Sequence, residues 1–148
     1  MKKAMRSLLT ALCAAALFSG CQNTSYKDGV YKAQYQEADD HGWTEYVAIT
    51  VSGGKITAVD FDALDENGRK KSQDEEYKAA YLGAGYQTYP ADYSKKLEES
   101  LLSRQDPDRV DAVAGATNSS KSFKDLVKRL ESRMKKGDTS PLIIKKSK

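Results

Sequence analysis

The sequence predicts an α+β fold, with an antiparallel sheet of about three or more strands followed by about three packed helices. Two observations carry this prediction. Residues 28–64 are rich in β-branched and aromatic side chains and are cut by Gly- and Asp-containing turns. Residues 72–134 instead repeat apolar side chains at helical spacing, with breaks at Gly83-Ala84-Gly85 and Asp106-Pro107-Asp108. Strands first and helices after argue against a parallel sheet, which needs the two to alternate.

Asp28 to Tyr35 partly alternates apolar and polar residues and reads as the first strand. Asp39-Asp40-His41-Gly42 is a turn, and Trp43 to Ser52 is a second strand. Gly53-Gly54 signals a two-residue hairpin, with Lys55 to Leu64 returning as a third strand and Asp65-Glu66-Asn67-Gly68 turning again. A two-residue loop pairs Val51 with Ile56 and Ala48 with Val59. Val47, Ile49 and Val51 then face one way and Val59 and Phe61 the other. Either both faces of the sheet are covered or a bulge shifts the register. Two covered faces are the expectation, since the chain has helices to cover them.

Ser72-Gln73-Asp74-Glu75 has the form of a capping box, and Tyr77, Ala80, Tyr81 and Ala84 follow at helical spacing. Pro90 suits the first turn of a second helix, whose apolar stripe is Tyr93, Leu97, Leu101 and Leu102. A third helix begins at about Asn118 or Ser119 and carries Phe123, Leu126, Val127, Leu130 and Met134 on one face.

The N-terminus reads as an export signal. Lys2, Lys3 and Arg6 precede Leu8 to Phe18, a run of 11 residues that is apolar except for Thr10. That is too short to span a bilayer, which takes about 20. Phe18-Ser19-Gly20-Cys21 is similar to a bacterial lipobox, in which the cysteine is lipidated and becomes the mature N-terminus. An ordinary secretory signal cut near Ser19 or Gly20 would leave Cys21 unexplained. The expected layout is a lipoprotein signal peptide over 1–20, a lipidated cysteine and tether over 21–27, a folded domain over 28–136 and a basic C-terminal tail over 137–148. The other cysteine, Cys13, lies inside the signal, so the mature domain is expected to have no disulfide and no thiolate metal site.

Charge gives no pointer to a nucleic-acid partner. The chain carries 24 Lys and Arg against 21 Asp and Glu, and the signal removes three of the basic residues, leaving a neutral domain. Nothing in that balance argues for nucleic acid. The basic residues of the tail could touch anionic lipid, although a solvated terminus is the simpler reading.

The richest stretch is Asp111-Ala112-Val113-Ala114-Gly115-Ala116-Thr117-Asn118-Ser119-Ser120. A small-residue turn allows a large ligand to approach the backbone. The helix start behind it offers free N–H groups and a positive dipole end, which suit a phosphate held at Thr117. Taken locally, Thr117, Asn118 or Ser119 also reads as an ordinary helix N-cap with Asp111 in a turn. The two readings are compatible.

This stretch resembles the Asp-x-x-Ser/Thr-Gly-Ala-Thr motif of the FMN-binding domain family. Asp111, Gly115, Ala116 and Thr117 match, and Ala114 stands where the family more often has Ser or Thr. The resemblance extends over almost all of Asp28 to Met134. Asp28-Gly29-Val30-Tyr31, His41-Gly42-Trp43 and Gln105-Asp106-Pro107 are similar to the small lipoprotein branch, which is related to flavinylated subunits of sodium-pumping NADH:quinone reductase. It implies FMN as cofactor, joined to Thr117 by a phosphoester bond through a separate flavin transferase. Asp111, Gly115, Ala116, Asn118 and Ser119 are the further residues expected around it. Gly115 and Ala116 would keep the approach open, and Asp111 would order the loop through backbone N–H bonds or be read by the transferase.

Other residues give less. His41, the single histidine, is assigned no metal. Trp43, Tyr46, Tyr81, Tyr86 and Tyr89 could offer a stacking face for a flavin ring or serve in core packing. The Asp and Glu clusters lack an EF-hand pattern and read as solvated turns. The expectation is a redox carrier rather than a substrate-specific enzyme. It would be anchored on the extracytoplasmic side of the cell membrane through Cys21 and would meet a membrane redox partner. The alternative is a non-redox surface lipoprotein that binds a ligand or partner, a reading that Ala114 favours.

Overall fold

The computed structural model describes residues 25–146. The signal segment 1–20 and the lipobox Cys21 lie outside the described residues. The elements run β1 (Gly29–Tyr35), β2 (Thr44–Ser52), β3 (Lys55–Leu64), α1 (Glu75–Gly83), α2 (Pro90–Arg104), α3 (Thr117–Lys136) and β4 (Leu142–Ile144). They form an α+β fold with one four-stranded sheet in the order β3-β2-β1-β4. The first three strands are antiparallel, and β4 runs parallel to β1.

Gly53 and Gly54 both take positive φ, 60° and 75°, as the predicted two-residue hairpin requires. The expectation of two covered faces is wrong. Val51 pairs with Ile56, but Thr50 pairs with Ala58, so Thr57 is the extra residue of a β-bulge. Beyond it Ile49 faces Val59 and Val47 faces Phe61, and the apolar residues of both strands share one face. The bulge thus removes the conflict that an unbroken register creates.

That face packs on α2 and α3. Tyr31, Ala33 and Tyr35 of β1 alternate inward with Val47, Ile49 and Val51 of β2, and meet Leu97 and Leu101 of α2. Phe123, Leu126, Val127, Leu130 and Met134 of α3 are all fully buried against them. The Phe61 and Phe123 rings meet edge to face at 5.0 Å between centroids. Tyrosines at the edge of this core keep a partner for each hydroxyl. Tyr31 donates to Lys27 O at 2.7 Å, and Tyr35 donates to Asp125 Oδ2 at 3.1 Å.

Two ends depart from the predicted layout. Tyr26, assigned to the tether, is buried and donates its hydroxyl to Glu131 Oε1 at 2.9 Å. Lys27 N–H donates to Met134 O at 2.8 Å, so the fold begins before Asp28. At the other end, the segment read as a basic tail holds β4, and Ile144 is buried. Its three residues are too few to show any periodicity in the sequence.

The edge strand β3 is not left open. Glu98 of α2 accepts from Phe61 N–H at 2.8 Å. Gln105, at the end of α2 with φ of 57°, accepts from Ile56 N–H at 2.8 Å and donates to Ile56 O at 2.9 Å. Side chains of α2 therefore stand in for a further strand and cover the edge.

Two predictions follow from this packing. Leu126→Ala empties a fully buried site and is expected to cost about 2–5 kcal/mol in urea unfolding. A loss within about 0.5 kcal/mol, typical of surface positions, would contradict the core assignment. The second concerns Glu98, whose carboxyl is held above its ordinary 4.5, chiefly by burial. The folded state therefore binds the proton more tightly than the unfolded chain, and stability falls as pH rises from the ordinary carboxylate value through the raised one. Glu98→Gln keeps an acceptor for Phe61 without the charge. Its thermal midpoint should gain on the wild type between mildly acidic and neutral buffer; a constant difference would refute the assignment.

Candidate functional site

Thr117 is the first residue of α3, one position earlier than the predicted start. Ala116 is the N-cap, and no side chain caps this helix. Neither Thr117, Asn118 nor Ser119 is the cap that local reasoning offered. The N-terminal end of a 20-residue helix is thus left without the usual oxygen on its first-turn N–H groups. Thr117 and Asn118 are exposed, while Ala116 and Ser119 are buried.

The loop before the helix is held by Ser120, not by Asp111. Ser120 Oγ accepts from Val113 N–H at 3.0 Å and donates to Ala116 O at 2.8 Å. Asp111 is exposed and meets Arg104 at 3.2 Å, so its expected loop-ordering bonds are not made. Gly115 has φ of 81°, a region that side chains disfavour. A methyl group there would sit 3.1 Å from Thr88 Cγ2 and 3.4 Å from Tyr86 Cδ1. The glycine therefore lets this turn lie against the α1–α2 connection. Thr88 is itself buried and donates to Asp92 Oδ2 at 2.7 Å.

A groove runs along this junction. Its inner part, about 250 Å³, lies between Tyr81 and Tyr86 on one side and Gly115, Ala116 and Thr117 on the other. Its outer part, about 570 Å³, continues past Tyr81, Asn118 and Ser119 to Lys71, Tyr77 and His41. The two parts share Tyr81, Asn118 and Ser119. The outer part alone has the size of a small-molecule pocket, roughly 300–1,000 Å³.

Tyr77, Tyr81 and Tyr86 line the groove in series, and the buried Trp43, outside the lining, packs against Tyr77. Trp43 meets Tyr77 at 5.8 Å, Tyr77 meets Tyr81 at 5.4 Å and Tyr81 meets Tyr86 at 5.2 Å between centroids. They exist as a row because α1 sets Tyr77 and Tyr81 one turn apart. Asp74 caps that helix by accepting from Tyr77 N–H at 2.8 Å. The predicted cap, Ser72, instead donates to Asp62 Oδ2 at 2.6 Å. No residue of α1 is fully buried, so its rings remain at the surface of the groove. Burial raises the Tyr77 and Tyr81 hydroxyls above the ordinary phenol range, and a wall of neutral phenols results. Behind them the buried Tyr93 phenol, raised likewise by burial, faces Ser119.

Charge concentrates at the outer end. Asp39 Oδ1 accepts from His41 N–H and Trp43 N–H, both at 2.9 Å, and orders the turn that carries them. Its other oxygen lies 3.8 Å from Lys71 Nζ. The buried Glu45 is 3.5 Å from Lys146, whose ammonium lies 4.6 Å from the centre of the Tyr35 ring.

Among the predicted site residues, the structure brings Thr117, Gly115, Ala116, Asn118 and Ser119 together on the groove and leaves Asp111 outside its lining. Of the aromatic candidates, Tyr81 and Tyr86 line it beside Thr117. Tyr46 lies elsewhere, bonded to Asp60 at 3.0 Å, and Tyr89 is the N-cap residue of α2. Sequence reasoning missed Tyr77 as a site residue, although its spacing from Tyr81 was visible. It missed Lys71 and Thr88 altogether, since no motif marks either.

Comparison with known proteins identifies the family. The model of the FMN-binding domain matches residues 41–131. The 15 kDa lipoprotein of Treponema pallidum (strain Nichols) is 37% identical over 134 residues, covering 90% of this chain and 94% of the relative. The crystal structure of the CPE2226 protein from Clostridium perfringens superposes with a TM-score of 0.77 at 33% identity. It covers 82% of this chain and 99% of that one. A solution structure from Clostridium thermocellum gives a TM-score of 0.50 at 29% identity over 72% of this chain and 91% of that one. The chain belongs to the FMN-binding domain family, and FMN is its cofactor.

Proposed function

We propose that this protein is an exported, lipid-anchored carrier of FMN, attached through Thr117, that relays electrons outside the cytoplasmic membrane. The observation that carries the reading is the place of Thr117. It is an exposed hydroxyl on the first turn of an uncapped helix, on the wall of an aromatic groove.

The residues present fit the group. The open N–H groups and dipole of α3 suit a phosphate at Thr117. Tyr81 and Tyr86 offer ring faces to a flat, largely apolar ring system, and Asn118 and Ser119 supply polar groups between them and the outer compartment. Bound there, FMN supplies the electron transfer, while the protein fixes its position and surroundings. Among the described residues no base is hydrogen-bonded to the Thr117 hydroxyl to make it a strong nucleophile, which suits attachment by a separate flavin transferase. Asp111, exposed at the edge of the loop, is accessible for such an enzyme to read.

The anchor rests on Cys21 and on the likeness to a relative that is itself a lipoprotein. Its partners in this reading are the transferase, the bilayer and a membrane redox protein, with no nucleic acid. The family match favours this over a non-redox surface lipoprotein. Ala114, which favours the alternative, is an exposed turn residue whose exchange from Ser or Thr leaves the groove lining unchanged.

Intact mass measurement with a flavin transferase present tests the attachment. The wild type should gain the mass of FMN less one water on the peptide containing Thr117, and Thr117→Ala should abolish the gain. Thr117→Ser should retain part of it, and Ala114→Ser should label at least as well as wild type. Covalent flavin persisting in Thr117→Ala would place the bond elsewhere, and a wild type with no flavin would end the proposal. For the anchor, Cys21→Ser is expected to leave the membrane fraction or to remain unprocessed. An unlipidated wild-type N-terminus other than Cys21 would disprove the lipobox reading.

A further inference from the structure

The charge set against a flavin ring tunes its potential, and one buried cation faces the groove. Lys71 is only 5% exposed and lines the outer compartment together with Asn118 and Ser119. Among the described residues its ammonium makes no hydrogen bond. Its nearest counter-charge, Asp39 Oδ2, is 3.8 Å away, well beyond a charge-assisted hydrogen bond. Two ring faces hold it from behind, Tyr77 at 4.5 Å and Trp43 at 5.7 Å to the centroids. Among the described residues no fully buried side-chain nitrogen or oxygen lacks a hydrogen-bond partner, so the unbonded Lys71 Nζ still opens onto the compartment, where a polar ligand edge can reach it. The other cations differ. Lys121 is exposed, and Lys146 is exposed and tied to Glu45.

We propose that Lys71 receives the electron-rich pyrimidine edge of the flavin ring and raises the reduction potential of the bound cofactor, with Asp39 acting in the opposite sense. This rests on the reading of Thr117 as the attachment point. Thr117 and Lys71 stand on the two parts of one groove, joined by Tyr81, Asn118 and Ser119. Uptake of two electrons and one proton leaves a net negative charge on that end of the ring. A cation held there favours the reduced form over the oxidised one, and a carboxylate favours the reverse. Lys71 is thereby a positioning and tuning residue whose effect appears in a potential.

The test is a spectroelectrochemical titration of flavinylated protein, with attachment verified by intact mass. Lys71→Met should lose tenfold or more of the preference for reduced over oxidised flavin, a fall of about 30 mV for a two-electron couple. Lys71→Arg should stay near wild type. Asp39→Asn keeps an oxygen for the His41 and Trp43 N–H groups and should shift the midpoint upward. Flavinylated, folded Lys71→Met and Asp39→Asn with wild-type midpoints, or midpoints moving in the same direction, would overturn the role of Lys71 alone. Should Lys71→Met fail to fold, an unmoved midpoint in Asp39→Asn is sufficient to overturn it. A wild type that takes no flavin removes the attachment reading and this one together.

Discussion

Burial of one face of α3 is the constraint on which the rest of the structure depends. Phe123, Leu126, Val127, Leu130 and Met134 are fully buried on the inner face of the sheet, which fixes both the rotation and the position of the helix. Its first turn then has only one place to be, at the rim where Thr117 meets the groove. Its last turn ends at Gly137, with φ of 78°, and the chain returns to lay β4 beside β1. Site and sheet edge are thus set by the same packed surface.

The sheet in turn needs its register corrected and its edge covered. The bulge at Thr57 brings Val59 and Phe61 onto the face that α2 and α3 cover. Glu98 and Gln105 then bond to backbone groups of β3 that an edge strand would otherwise present to solvent or to another chain. Apolar burial and edge protection are supplied by one helix, whose inner face carries Leu97 and Leu101 while its side reaches the strand. The carboxylate of Glu98 makes this arrangement sensitive to pH in a way an amide would not.

Local patterns with a strong chemical cause were legible in the sequence. The Gly53-Gly54 hairpin, Pro90 at the start of α2 and the apolar stripe of α3 each follow from backbone or side-chain rules that need no tertiary context. The motif around Thr117 was legible as well, because small residues and a helix start leave a local signature. The bulge was posed as an alternative but not chosen, since deciding it requires knowing which face is covered. Ser72 looked like a cap because its spacing was right, yet Asp62 of the preceding strand β3 claimed its hydroxyl and Asp74 took the role. Lys71, Thr88 and β4 left no trace in the sequence. Their roles arise from contacts across the fold, and a lone lysine or three apolar residues carry no periodicity.

The docking of Tyr26 sets a leash length. Its ring is buried and its hydroxyl is bonded to Glu131, so the packed fold reaches to within five positions of Cys21. A chain of that length spans at most about 18 Å when fully extended. Under the proposed lipid anchor at Cys21, the domain would stay within that distance of the bilayer. Electron exchange would then be confined to a thin layer above the membrane surface. There, a partner's height above the lipid matters as much as its affinity, and encounters are counted per area of membrane rather than per volume of solution.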